Sequence, residues 1–195
     1  IMSVTGHPGG PPTRVGGSVV DFGTGMWSVI AILGALRQRD ATGRGAALET
    51  SLMDTALAWV SYHTMGYLAT GEEPGPMGSA LGSIAPYRAF ATLAGHVMIA
   101  AGNDAIFQRL CGALGLDAVA KDPRFASNAQ RVHHRDALDA LVEAATEALA
   151  TGELLERLNA ASVPASAIRG IAEVASDPQV EAAGMLASGP HHRSD

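Results

Sequence analysis

The decapeptide Gly17-Ser18-Val19-Val20-Asp21-Phe22-Gly23-Thr24-Gly25-Met26 sets one carboxylate among apolar residues, with glycines on both sides. Glycine has no side chain to block the approach of another molecule. A helix is predicted from about Gly23 to Arg39, so its first backbone N–H groups would point toward Asp21. Those groups carry partial positive charge and favour an ionised acid, by about 0.3–1 kcal/mol at an exposed site and up to roughly 2 kcal/mol when partly buried. Burial acts in the opposite sense. An ionised carboxylate that a substrate can reach is a candidate nucleophile. Aspartate is also a preferred helix N-cap, and that structural reading is compatible with the chemical one.

The remaining reactive side chains carry less. His133 and His134 are adjacent, so on a helix they point about 100° apart and cannot chelate one ion as an i, i+4 pair would. His191 and His192 fall in a polar tail, and no metal site is expected. His63 lies on an apolar helix and reads as a packed core residue. Cys111 shares a stripe with Leu110 and Leu114, the setting of a buried, inert thiol. Asp54 reads as a cap or first-turn charge of its helix.

Elements must hold these groups. Residues 1–16 are rich in Gly and Pro and form a loop. The helix through Met26, Ile30 and Leu33 is apolar nearly all round, which predicts burial, and Gly34 predicts close backbone packing. Thr42-Gly43-Arg44-Gly45 ends it. Ala46 to Ser51 reads as a short strand and Met53 to Leu68 as a second apolar helix, together an α/β layer. Thr70 to Ser83, with six glycines and prolines that leave little to pack, is the clearest linker.

Beyond it, Tyr87–Thr92 and His96–Ala101 read as a hairpin. Asn103 caps a helix to Leu114, stopped by Gly115. A helix is predicted from about Ala129 to Ala150, with Leu138, Leu141 and Val142 at helical spacing. Thr151 is predicted to cap the next helix, Val163 to Ile168 to form a strand, and Asp177-Pro178 to open a further helix. There is no internal repeat.

At 47% hydrophobic and 16% charged residues, the 195-residue chain has the make-up of a folded protein. A net charge of −6 with no basic stripe argues against a nucleic-acid partner. One cysteine permits no internal disulfide and fits a reducing, cytoplasmic compartment. The longest apolar run, Met26 to Leu36, is too short for a membrane span. Both ends look cut, so the chain reads as a piece of a longer protein.

Several segments together resemble the class III CoA-transferase family, which includes formyl-CoA and carnitine CoA-transferases and α-methylacyl-CoA racemases. They are Met2-Ser3-Val4-Thr5-Gly6 with Gly10-Pro11-Pro12-Thr13-Arg14; Val20-Asp21-Phe22-Gly23-Thr24-Gly25; Arg39-Asp40-Ala41-Thr42-Gly43-Arg44-Gly45; and Glu49-Thr50-Ser51-Leu52-Met53-Asp54. Ser83-Ile84-Ala85-Pro86-Tyr87, Ala101-Gly102-Asn103-Asp104, Asp122-Pro123-Arg124-Phe125 and Asp177-Pro178-Gln179-Val180 continue the likeness in the same order. Ala165-Ser166-Ala167 departs from a Cys-Gly-Pro often found there.

The resemblance implies an α/β fold, with part of a Rossmann-like large domain followed by a small α+β domain. Residues 1–69 would close the first half of the large domain, 70–85 form the linker, 86–170 the small domain, and 171–195 a return linker. It implies transfer of CoA between an acyl-CoA and a small carboxylic acid, with Asp21 forming an aspartyl-CoA thioester. Coenzyme A enters as substrate, and no permanent cofactor is implied. Gly23 and Gly25 would flank the substrate, while Arg14 and Arg44 could meet CoA phosphates or be solvated charges. Gly78 and Gly82 match a loop that, in formyl-CoA transferases, closes over the aspartate; a plain linker is the other reading. Full-length relatives form interlocked homodimers, no nucleic acid or membrane is implied as a partner, and this piece alone is expected to be inactive. Two alternatives stand: a racemase, with Asp21 as acid/base and a histidine from outside the chain, or a non-catalytic interaction piece.

Overall fold

A computed structural model describes residues 1–187 and divides the chain into two compact units, Ile1–Gly78 and Ser79 onward. The division falls inside the 70–85 segment.

The first unit is helical. After a 3-10 turn at Met2–Val4 and the Gly/Pro loop come α1 (Val19–Thr42), α2 (Leu52–Trp59) and α3 (Ser61–Thr70). α1 starts four residues earlier than predicted and runs three residues past Arg39, to the glycine turn expected to stop it. Gly43 takes a left-handed φ of 70°, and its N–H donates to the Arg39 carbonyl at 2.7 Å. The Ser51 hydroxyl opens α2 by accepting from the Asp54 N–H at 3.0 Å, leaving Asp54 as a first-turn charge.

Several expectations fail in this unit. Residues 46–51 form no strand, because a strand needs a neighbour to bond to and none pairs there among the described residues. The predicted Met53–Leu68 helix is two helices that meet at Val60 (φ −106°, ψ 19°). α1 is not buried: Met26, Ile30 and Leu33 are each more than half exposed, and a Cβ added at Gly34 would meet nothing. His63 is half-buried rather than core, tilted against Tyr62 with ring centroids 4.1 Å apart. α1 is also long and apolar enough, by length and composition only, to cross a membrane, contrary to the reading of its apolar run. Ser28 and Gly34 interrupt the apolar run Met26–Leu36 in the sequence, while the helix continues through both.

The second unit is a three-stranded antiparallel sheet covered by helices. β1 (Tyr87–Thr92) pairs with β2 (Gly95–Ala100), and β2 with β3 (Ala165–Ala167), in the order β1-β2-β3. Leu93 and Ala94 make the hairpin turn. α4 (Asp104–Leu114) is capped by Asn103, whose Oδ1 accepts from the Ile106 N–H at 2.9 Å, and stopped by Gly115. Short α5 (Asp117–Ala120), α6 (Asn128–His133), α7 (Arg135–Thr146) and α8 (Thr151–Ala160) follow, then α9 (Ile171–Ala175) and α10 (Pro178–Ala182). The predicted 129–150 helix is thus broken at His134, and Leu141 faces outward. Thr151 is not a cap: its hydroxyl donates to the Ala94 carbonyl and lies 2.7 Å from the Thr92 hydroxyl. Asp177 does cap α10, accepting from the Gln179 N–H at 2.7 Å.

The core of this unit gathers Phe90, Val97 and Ile99 from the sheet with Phe107, Leu110, Leu138, Val142, Leu154 and Leu158 from the helices, all fully buried. Arg131 is also fully buried. Its guanidinium donates to the Ala85 and Phe125 carbonyls and to Asp104, and lies 4.4 Å from the centre of the Phe107 ring. Each of its three nitrogens therefore has an acceptor, as a buried charge requires.

Candidate functional site

Asp21 is the third residue of α1 rather than its cap. Ser18 holds the cap position (φ −82°, ψ 58°) and makes no side-chain cap bond. The first N–H groups of α1 are therefore left without a side-chain acceptor, which makes this helix end attractive to anions. Asp21 is exposed.

A cavity of about 160 Å³ lies against this turn, lined by Ile1, Met2, Arg14, Val15 and residues 17–21. Arg14 and Asp21, seven positions apart on the segment that enters α1, thus share one pocket. The Arg14 guanidinium reaches the Ser18 hydroxyl at 3.4 Å. A carboxylate, a guanidinium and open helix N–H groups together can present a nucleophile beside a place where negative charge can gather.

The other predicted residues scatter. Gly23 is not open to a ligand: it is buried, and a Cβ there would fall 2.8 Å from Trp59 Nε1 and 2.9 Å from Thr55 Cγ2. Its smallness serves the packing of α1 on α2. Gly25 is exposed, and a Cβ there would meet nothing. Arg44 follows the far end of α1, and 21 residues of helix put about 30 Å between it and Asp21. Gly78 has φ +64° and donates to the Gly6 carbonyl at 2.7 Å, closing the Gly/Pro loop. Gly82 belongs to the second unit, where Arg135 Nη2 donates to the carbonyls of Leu81, Gly82 and Ile84 at 2.9–3.0 Å. Asn128 ties the same segment, donating to the Ser83 carbonyl and accepting from the Ala85 N–H. Sequence reasoning missed this clamp, for which the Asn128 and Arg135 side chains gave no local signal.

Among the described residues, no cluster of three or more His, Cys, Asp or Glu could hold a metal ion. His191 and His192 lie outside the described residues. Cys111 is buried and burial pushes its thiol up to about 11. His133 and His134 meet edge to face, and His134 Nδ1 lies 2.9 Å from the Gln130 carbonyl of the preceding helix.

The family model for CoA-transferase family III matches residues 1–195. The chain belongs to that family. It is 38% identical over 185 residues to a succinate–glutarate CoA-transferase of Agrobacterium fabrum, covering 95% of this chain and 46% of that protein. It is 37% identical to an acetyl-CoA:oxalate CoA-transferase of Acetobacter aceti, covering 95% of this chain and 48% of that one. A crystal structure of a CaiB/BaiF family protein from Brucella suis superimposes with a TM-score of 0.77 at 42% identity, covering 95% of this chain and 49% of the other. The chain thus spans about half the length of the curated relatives it matches. It carries the mixed helix and sheet fold of class III CoA-transferases over that half.

Proposed function

We propose that the full-length protein is an acyl-CoA:carboxylate CoA-transferase with Asp21 as its nucleophile. The observation that carries this reading is an exposed carboxylate on the first turn of an uncapped helix, sharing a pocket with Arg14. An Asp21 oxygen attacks the thioester carbonyl of the donor, and the carbonyl electrons return as CoA thiolate leaves, giving a mixed anhydride. The thiolate then attacks the Asp21 carbonyl and expels the donor's carboxylate, leaving an aspartyl-CoA thioester. The acceptor carboxylate attacks that thioester, thiolate leaves again, and its attack on the acceptor's carbonyl releases new acyl-CoA and restores Asp21. Each attack creates an oxyanion. The helix N–H groups and Arg14 supply positive potential for that charge without any need to reorganise.

Relatives named for succinate, glutarate and oxalate support small dicarboxylic acids as donor and acceptor acids. An exposed Arg14 beside the nucleophile fits a second carboxylate, since a guanidinium pairs with carboxylates in two parallel bonds. The apolar faces of α1, α2 and α3 need a cover of protein or lipid. Relatives of twice the length support a protein cover, supplied by the rest of the polypeptide and a second copy in an interlocked homodimer. A single, buried cysteine supports a cytoplasmic setting.

The test is chemical capture in the full-length enzyme. Incubated with acyl-CoA and hydroxylamine, it should gain a hydroxamate mass on the peptide containing Asp21. Asp21→Asn should lose that mass and cut turnover on the order of a thousandfold or more. Exchange of the α-proton with no capture at Asp21 would instead support the racemase reading, in which the same group works as acid/base.

A further inference from the structure

Two residues of the first unit are buried among the described residues, Gly23 and Thr55, and they touch each other. The missing Cβ of Gly23 lets the backbone of α1 lie directly on Thr55 and Trp59 of α2. The next residue continues the seam. Thr24 Oγ1 is 2.8 Å from the Val20 carbonyl and 2.8 Å from Thr55 Oγ1, which in turn is 3.1 Å from the Ser51 carbonyl. Each hydroxyl has one proton. Thr24 can therefore give its proton either to Thr55, across the two helices, or to the Val20 carbonyl within α1, while Thr55 donates to the Ser51 carbonyl at the start of its own helix. The Val20 carbonyl belongs to the peptide group that carries the Asp21 nitrogen. Further along α1, Val29, Ile30 and Leu33 are exposed. The helix is therefore held most tightly one turn from Asp21.

We propose that Thr55, acting through Thr24 and Gly23, is a positioning residue that fixes the Asp21 turn and so sets the reach of its carboxylate to the thioester carbon. The inference rests on Asp21 being the nucleophile. A displacement of about 1 Å at a reacting group can cost on the order of a hundredfold in rate, while binding of a long substrate by remote contacts is little affected. Neither threonine lines the pocket that holds Arg14 and Asp21, so the effect belongs in kcat and not in KM.

The test uses the full-length enzyme and three readouts: kcat, KM for acyl-CoA, and the rate of hydroxylamine capture at Asp21. Thr55→Val keeps the shape and removes the hydroxyl. It should lower kcat and the capture rate together, on the order of tenfold or more, with KM unchanged. Thr55→Ser keeps the hydroxyl and should recover most of both. Should Thr55→Val fail to fold, Thr24→Val and Thr24→Ser read the same link from α1 with the same expectation. A valine variant that melts earlier yet keeps wild-type kcat and capture overturns the positioning role, and Asp21→Asn, inactive in parallel, leaves the nucleophile reading standing. An Asp21→Asn enzyme that still turns over removes both.

Discussion

Phe107 and Leu33 are both large apolar residues on helices, and their surroundings differ completely. Phe107 is fully buried, packed with sheet and helix side chains and roofed by the Arg131 guanidinium. Leu33 is 62% exposed. The contrast holds for the units that contain them. Every residue of the buried hydrophobic cluster lies between Ala85 and Val163, while α1, α2 and α3 leave Trp27, Trp59, Tyr62 and Met65 at the surface. The second unit closes its own core. The first carries the candidate nucleophile on elements that expect a cover. The buried core and the candidate nucleophile thus lie in different parts of the chain.

Paired substitutions sharpen this contrast. In the 195-residue chain, Phe107→Ala should cost the second unit roughly 3–5 kcal/mol, because it removes a ring and leaves a cavity. Leu33→Ala in the same chain should stay within about 0.5 kcal/mol, as an exposed position does. In the full-length protein, Leu33→Ala should rise to roughly 2–5 kcal/mol. Urea unfolding followed by fluorescence and circular dichroism measures all three. A Leu33→Ala cost that stays negligible at full length would break the comparison.

The caps give a smaller version of the same test. Asn103 and Ser51 each accept from the N–H three residues on, at 2.9 and 3.0 Å. Replacing either by alanine should cost about 1 kcal/mol where its helix is part of a cooperative unit. Asn103→Ala should therefore shift the unfolding midpoint of the 195-residue chain, and Ser51→Ala should do so only in the full-length protein. Equal shifts in the short chain would show that the first unit folds cooperatively by itself.

These differences also explain what could be read from the sequence. The hairpin, the Asn103 and Asp177 caps and the Gly43 and Gly115 stops were legible because each is set by residues within a few positions of one another. The burial of α1 was not legible, because an apolar helix shows that it wants a partner, not whether one is within reach. The same holds for residues 46–51, whose strand-like pattern cannot form a ladder alone. At the site, the glycine-flanked Asp21 was visible. Its place on the first turn was not, because Ser18, an equally good cap, took that position. The Gly23–Thr55 seam lay 32 residues apart in sequence, and nothing local marks such a contact.

The least of the expected effects appears as a slope with pH, and it again separates the two units. Asp139 on α7 is mostly buried, and burial raises its carboxyl above the ordinary range despite Arg88, whose Nε lies 3.0 Å away, and Arg135. Asp136 and Glu143 push it in the same direction as burial. The native state therefore holds this proton more tightly than the unfolded chain does. Above the raised value the ionised group costs stability, and as pH falls through that value toward the ordinary one the cost is relieved. Wild-type stability should consequently gain on Asp139→Asn as the solution is acidified through this window. The gain should appear in the unfolding of the second unit, which needs nothing beyond this chain to report it. Urea midpoints of the two proteins compared at several pH values give the slope, and a wild type that loses stability relative to Asp139→Asn on acidification would mean that Arg88 and Arg135, not burial, control this carboxyl.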